Sequence, residues 1–385
     1  MRADVAIGTF LSGGLDSTSI ITNMAALQGD SRAAPINAVC YSDPDYDETE
    51  FVQATLKDTG AVAYTLAPQP DGFWPMFERH LWHQDEPVHS WNSAVIFQLM
   101  RVASDHGIKV MLSGHGADEI LAGYPPYFVD YWSDLVQAGE LREMRAEVKA
   151  FAQVHGLSTQ SLHWSVARRC VDRMKRYLPG YDRLAGFRRR ARVNNDTWVS
   201  PNVKQQWRDD DYRAATNLSG ALLDSVERQP LPLYLRVEDR NAMAHAVEVR
   251  MPFLDHRLVA FAFRLRSQWK LRGGYTKVVL REAVTGRVPD VVRTRARKFG
   301  FPVSLSRWVS DGLRDRCRDL ASTQAVRESG VWNVDTIKRD LEVDDKTPAR
   351  TQRLFDFAQF ANWYAFSRFG FVLSIVSNLL EYEGI

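Results

Sequence analysis

Cysteine is scarce in this chain. Cys40, Cys170 and Cys317 are the three among 385 residues, widely spaced, with no Cys-x-x-Cys pair and no histidines at ligand spacing. That argues against a disulfide framework and a structural zinc site, and makes a reducing compartment the expectation. An excess of either charge is lacking too. The net charge is +2, which speaks against nucleic-acid binding over the whole surface. Long apolar runs are missing. Phe369 to Leu380, the most apolar late stretch, is too short to span a bilayer and has Arg368 beside it. Met1–Ala6 leads into a short apolar run without the pattern of a cleaved leader. There is no internal repeat and no low-complexity linker. The expectation is a cytoplasmic protein with no membrane or nucleic-acid partner. A composition 45% hydrophobic and 25% charged is that of a globular chain.

Two periods alternate through the first part. Val5–Leu11, Ile36–Tyr41, Val62–Leu66 and Lys109–Leu112 are short apolar runs that read as buried strands. Asp16–Leu27, Asp47–Leu56, Trp74–Trp82 and Ser93–Ala103 read as helices between them. The alternation predicts an α/β fold with a doubly wound parallel sheet. After Tyr124-Pro125-Pro126 the pattern turns helical, with few strand signals. Residues 1–126 are therefore read as a nucleotide-binding α/β part and 127–385 as a mainly helical part. The basic run Arg183–Arg192 reads as a solvated helix or loop.

The chemistry concentrates in Ser12-Gly13-Gly14-Leu15-Asp16-Ser17, between the first strand and the first helix. Two glycines let the backbone approach an anion closely. The following helix start offers free N–H groups and a positive dipole end. Ser12 and Ser17 add hydroxyls. These features describe a pyrophosphate cradle. The lysine of an ordinary P-loop is absent, and so is the Gly-x-Gly-x-x-Gly spacing of dinucleotide sites. Asp16 would repel a phosphate unless a cation lay between them, which implies Mg²⁺.

This hexapeptide resembles the PP-loop of the ATP pyrophosphatases, the adenine nucleotide alpha hydrolase-like group. The wider pattern is similar to the synthetase domain of asparagine synthetases. The resemblance runs through GTFLSGGLDSTSI (8–20), PDYDETEF (44–51), DEP (85–87), LSGHGADEILAGY (112–124), VEDRNAMAHAVEVRMPFLDHRLV (237–259) and RKFGFPVSLSRW (297–308). It implies ATP as a substrate, cleaved between its α and β phosphates, with AMP passed to a carboxylate.

Site roles follow from that resemblance. Asp16 and Asp118 match the carboxylates that hold Mg²⁺ on the pyrophosphate; for Asp118 an acidic helix start is the competing reading. Ser12, Gly13, Gly14, Ser17, Ser113 and Gly114 match positions that touch the nucleotide. Leu11 and Val39 match strand ends whose main chain holds adenine and ribose. Lys298 and Lys277 match two lysines near the phosphates, where a point cation stabilises developing charge. Arg295 and Arg297 are neighbours able to help. His115 departs from the family: asparagine synthetases usually carry an acid there and β-lactam synthetases a tyrosine. An imidazole at that position serves either as a base toward an attacking amine or as a filler of the turn. Glu238, with Asp239 and Arg240, lies near the acceptor site or on a salt-bridged helix surface. Glu248, Arg250 and Asp255 are expected to lock the two parts together.

No stretch resembles the glutaminase domain of complete asparagine synthetases, so the chain is not expected to hydrolyse glutamine. Ammonia would come from solution or from a separate glutaminase subunit, and a homo-oligomer is possible. The apolar tail Phe371–Leu380 is a candidate for covering the seam that domain would occupy or for binding a partner. The leading expectation is an AMP-forming amide ligase acting on a carboxylate, aspartate first. An intramolecular cyclase of the β-lactam synthetase or lasso-peptide type is the rival, and a non-catalytic partner module is a rival of another class.

Overall fold

The computed structural model describes residues 3–28, 35–43, 45, 47–67, 72–175, 186–187, 190–191, 194–206, 217–296, 310–343, 347 and 349–365. They gather into two compact units. The first draws on residues 1–68, 95–181 and 213–302, the second on 69–94, 182–212 and 303–385. Compactness thus groups the chain differently from a sequential division at residue 126.

The first unit is built on a parallel sheet. Its strands are β1 (Ile7–Leu11), β2 (Asn37–Tyr41), β3 (Val62–Leu66), β4 (Val110–Leu112) and β5 (Glu248–Arg250). Their order is β3-β2-β1-β4-β5, all pairs parallel. The four strands expected from apolar runs are present within two residues of their expected bounds. β5 was not expected, because three residues cannot show a period. It is decided by pairing with β4, Val110 opposite Glu248 and Leu112 opposite Arg250. The chain winds outward from β1 to β3, then returns to place β4 on the other side of β1. The order reverses there, and in open α/β sheets ligands bind beyond the strand ends at such a point.

Helix Leu15–Gln28 follows β1 and is enclosed rather than amphipathic. Leu27, at helical spacing from Ile20, Ile21 and Met24, is exposed. The buried hydroxyls are satisfied locally instead: Ser19 Oγ donates to the Leu15 carbonyl (2.5 Å) and Thr22 Oγ1 to that of Thr18 (2.8 Å). Ile20, Ile21 and Met24 join Leu11, Ala38, Cys40, Ile120 and Phe253 in the core beside the sheet.

Helices Tyr127–Gln137, Leu141–His155 and Thr159–Lys175 form a second core in this unit around Phe128, Trp132, Val148 and Phe151. Arg173 is buried there and donates to Asp134 (2.7 Å) and Asp130 (3.1 Å). A hairpin of Leu271–Arg272 and Tyr275–Thr276 turns through Gly273 and Gly274, both at positive φ (60° and 85°). Gly-Gly between two short strands suits the tight hairpin turn that matches strand twist. Glu147 accepts from the Gly273 N–H (2.8 Å), and His155 Nε2 lies 2.9 Å from the Gly274 carbonyl.

The second unit packs helices Phe73–Gln84, Ser310–Ser322 and Val334–Leu341 with helical residues 349–365. Phe77, Leu81, Cys317, Phe355 and Phe357 form its core, and Trp198 Nε1 donates to Asp340 at 2.6 Å. No helix among the described residues is long and apolar enough to cross a membrane.

Lys270, just before the hairpin, is 2% exposed. Its ammonium lies 5.5 Å from the centre of the Phe263 ring. Burial pushes its pKa down from 10.5 to about 8. The unfolded chain therefore binds more protons in that window, and stability rises with pH across it. Replacing Lys270 with Met should flatten this rise, on the order of 2–3 kcal/mol, in urea midpoints taken from pH 8 to 10.5. Identical pH slopes in both proteins would show that the ammonium is charged throughout.

Candidate active site

The cradle is closed by the first turn of its own helix. Ser17 Oγ accepts from the Ser12 N–H (3.3 Å) and donates to the Gly14 carbonyl (3.2 Å). Gly13 has φ 65°, and a Cβ there would stand 2.8 Å from Phe51 Cβ. Glycine is thus required by both conformation and space. Arg295 lies over this corner. Its guanidinium stacks 4.0 Å from the centre of Phe51, pairs with Glu48 (2.7 Å) and donates to the Gly13 carbonyl (3.4 Å). The PDYDETEF segment therefore contributes Glu48 and Phe51 as the wall behind the loop.

The tips of β1 and β4 carry the two acids. Asp16 opens helix Leu15–Gln28, and Asp118 lies in the short helix Ala117–Ile120, so its helix-start reading is correct as geometry. Both are buried. Between them stands Lys277. Its Nζ donates to Asp16 Oδ1 (2.6 Å) and Oδ2 (2.5 Å) and lies 2.7 Å from Asp118 Oδ1. Lys277 is 3% exposed and holds φ 54°, the left-handed region, at the start of helix Val278–Ala283. Gly123 makes the arrangement possible: a Cβ there would fall 1.8 Å from Asp118 Oδ1 and 2.4 Å from Lys277 Cε.

The donor set suits magnesium. Two carboxylates offer hard oxygens, and no group of three or more His, Cys, Asp or Glu among the described residues could cage a metal. Mg²⁺ is commonly held by one or two carboxylates together with substrate phosphates. Asp16 and Asp118 are the residues that would hold it.

A second cluster lies across the β4 tip. His115 Nδ1 contacts Glu238 Oε2 directly and Ser113 Oγ at 3.1 Å. Glu238 is 1% exposed and projects from helix Leu231–Met243, where its neighbour Asp239 is exposed. A contact with a carboxylate calls for a proton on Nδ1, so in the neutral imidazole the lone pair lies on Nε2. Tyr234, one helical turn before Glu238, tilts over the imidazole with ring centroids 6.1 Å apart. Tyr124 Oη donates to Glu119 Oε1 at 2.6 Å. Burial, and then the Asp118 charge, push the Glu119 carboxyl and the Tyr124 phenol up, and the Tyr234 phenol rises by burial and the Glu119 charge.

Leu11 ends β1 and pairs with Cys40, whereas Val39 lies in the middle of β2 and pairs with Phe10; both are buried core side chains. Ser113 is buried, its N–H donating to the Arg250 carbonyl (2.9 Å), and Gly114 passes so close that a Cβ would be 3.0 Å from Asp16 Cβ. Lys298 and Arg297 lie outside the described residues, as do most of 183–192 and the tail 371–380. Glu248 and Arg250 pair with each other on β5 (2.7 Å), and Asp255 caps helix His256–Arg264 by accepting from the Arg257 N–H (2.9 Å). These bonds are local to β5 and to the start of that helix. Glu119, Tyr124, Tyr234 and Gly123 were not singled out from sequence. The i, i+4 spacing of Tyr234 and Glu238 on one helix was the available signal for the third.

Parallel sheet, glycine-lined loop and paired acids at the switch point together define an α/β synthetase domain of the PP-loop class. Within that class the chain belongs to the asparagine synthase family, whose model matches residues 1–365. The glutamine-hydrolysing asparagine synthetase 1 of Bacillus subtilis is 26% identical over 334 residues, 83% of this chain and 50% of that protein. A putative glutamine-hydrolysing asparagine synthetase of Mycobacterium tuberculosis is 30% identical over 327 residues, 81% of this chain and 47% of that protein. Amidase chyE of Penicillium rubens is 24% identical over 402 residues, 94% of this chain and 59% of that protein. The chain spans about half the length of the first of these curated relatives.

Gly123→Ala should lower the unfolding free energy by about 1–3 kcal/mol, the usual cost of overpacking a tight site. Urea denaturation checks it, and an unchanged midpoint would show that the loop yields.

Proposed function

We propose that this chain is an ATP-dependent amide ligase. The observation that carries the reading is the pair Asp16 and Asp118, buried side by side beneath a glycine cradle at the sheet's switch point. The loop N–H groups and the start of helix Leu15–Gln28 receive the phosphates. Mg²⁺ held by the two acids would neutralise charge on the pyrophosphate as it departs. A substrate carboxylate attacks the α-phosphorus, forming an acyl-adenylate and releasing pyrophosphate. Lys298 is assigned, by resemblance, to the charge that develops in this step.

An amine then attacks the acyl carbon and AMP leaves. The nitrogen must lose a proton as its bond to carbon forms. His115 Nε2 is assigned as the acceptor, with Glu238 holding the tautomer and stabilising the imidazolium, as a carboxylate does for a catalytic histidine. Aspartate is the first carboxylate to test, since several relatives bear the name asparagine synthetase. Ammonia comes from solution or from a separate glutaminase.

The His115–Glu238 contact also favours a second reading. An amine carried by the substrate itself must also shed a proton as it attacks, and a base beside the acyl carbon serves it without a glutaminase. Such a chain would be an intramolecular cyclase.

A panel of carboxylates in ATP–pyrophosphate exchange tests the first step, with aspartate included. Asp16→Ala should reduce exchange by at least about 10²-fold, and full exchange in that variant would defeat the assignment. Product mass decides between the readings. Ammonia incorporation replaces hydroxyl by amino in an ammonium-dependent way, whereas cyclisation loses water with or without ammonium.

A further inference from the structure

We infer that Lys277 is a tethered counter-ion that closes the two acids to a divalent cation until a polyphosphate arrives, so that metal and nucleotide bind as a coupled pair. This rests on the reading of Asp16 and Asp118 as magnesium carboxylates.

The geometry is saturated. The Lys277 ammonium lies within 2.7 Å of three carboxylate oxygens, hydrogen-bonded to the two of Asp16 and ion-paired with one of Asp118. A cation seeking both acids must therefore displace the lysine. Expelled with no destination, the ammonium would lose its partners in a site from which water is nearly excluded. A polyphosphate in the cradle supplies a destination, because its oxygens carry several negative charges next to Asp16. The exchange then balances: two carboxylates gain a divalent cation, and Lys277 moves its charge onto phosphate.

The local structure permits the move without a change of fold. The backbone of Lys277 is held between the hairpin, itself pinned by Glu147 and His155, and helix Val278–Ala283. Only the four-carbon stem must swing. At Gly123 the missing Cβ is what lets the lysine stem and Asp118 meet, with Lys277 Cε 2.4 Å and Asp118 Oδ1 1.8 Å from where that Cβ would stand. Linkage makes the coupling reciprocal, so metal raises nucleotide affinity by the factor by which nucleotide raises metal affinity.

Equilibrium dialysis of Mn²⁺ against the full chain tests this, alone and with α,β-methylene ATP. The wild-type chain should bind Mn²⁺ at least about 10-fold more weakly alone than with the analogue. Lys277→Gln should bind Mn²⁺ alone at least about 10-fold more tightly than wild type, and the gain from the analogue should shrink. Equal Mn²⁺ affinity with and without the analogue in wild type overturns the inference, and that measurement needs no variant to fold. No tighter binding of Mn²⁺ alone by folded Lys277→Gln overturns it as well. Asp118→Asn separates the two levels: if it leaves Mn²⁺ binding in the presence of the analogue unchanged, the metal reading itself fails, and the inference with it.

Discussion

One ammonium between two buried carboxylates organises the first unit. Asp16 and Asp118 come from neighbouring strand tips, and Lys277 reaches them from 261 positions beyond Asp16. Like charges so close and so poorly hydrated do not coexist without a cation. The glycines around them follow from this crowding. At Gly123 and Gly114 a methyl group would strike the acids or the lysine stem, and at Gly116 it would strike Leu254. The hairpin exists, in this view, to deliver Lys277. Its Gly273-Gly274 turn and its bonds to Glu147 and His155 fix where that stem begins.

A boundary of charge divides the β4 tip. On one side stand Asp16, Asp118 and Lys277, suited to phosphate and metal. On the other stands His115 on Glu238, suited to moving a proton. Glu119 and Tyr124 lie close by, held to each other by a hydrogen bond, and burial keeps both reluctant to ionise. Tyr234 tilts over the imidazole from the same helix as Glu238. A two-step ligase needs this separation, since adenylation gathers negative charge whereas amide formation must remove a proton.

Much of this was legible in the linear chain. Short apolar runs marked four of the five strands, even β3, which lies at the sheet edge and is largely exposed, and the loop after β1 could be read as well. Ser12-Gly13-Gly14-Leu15-Asp16-Ser17 also named its own chemistry, because a phosphate cradle and its acid are contiguous. Leu27 has the spacing of Ile20, Ile21 and Met24 yet is exposed, because helical spacing says which residues share a face, not how far along the helix that face stays covered. The hairpin carried a Gly-Gly signal that was passed over in a region read as helical. β5 carried none, since Glu248 and Arg250 pair with each other in solvent and Val249 alone is apolar.

The chain's own order of residues determined the fold class and put a glycine loop and an acid after β1 and another acid after β4, because each of these lies within a short run of neighbours. Tertiary structure alone decided what those groups touch. That Lys277 binds carboxylates, that Glu238 orients His115, and that Arg295 stacks on Phe51 above the cradle are all contacts across long separations. Local periodicity cannot specify such partners. They are set by which strand tips the sheet order makes adjacent and by which side chains lack the room to be anywhere else.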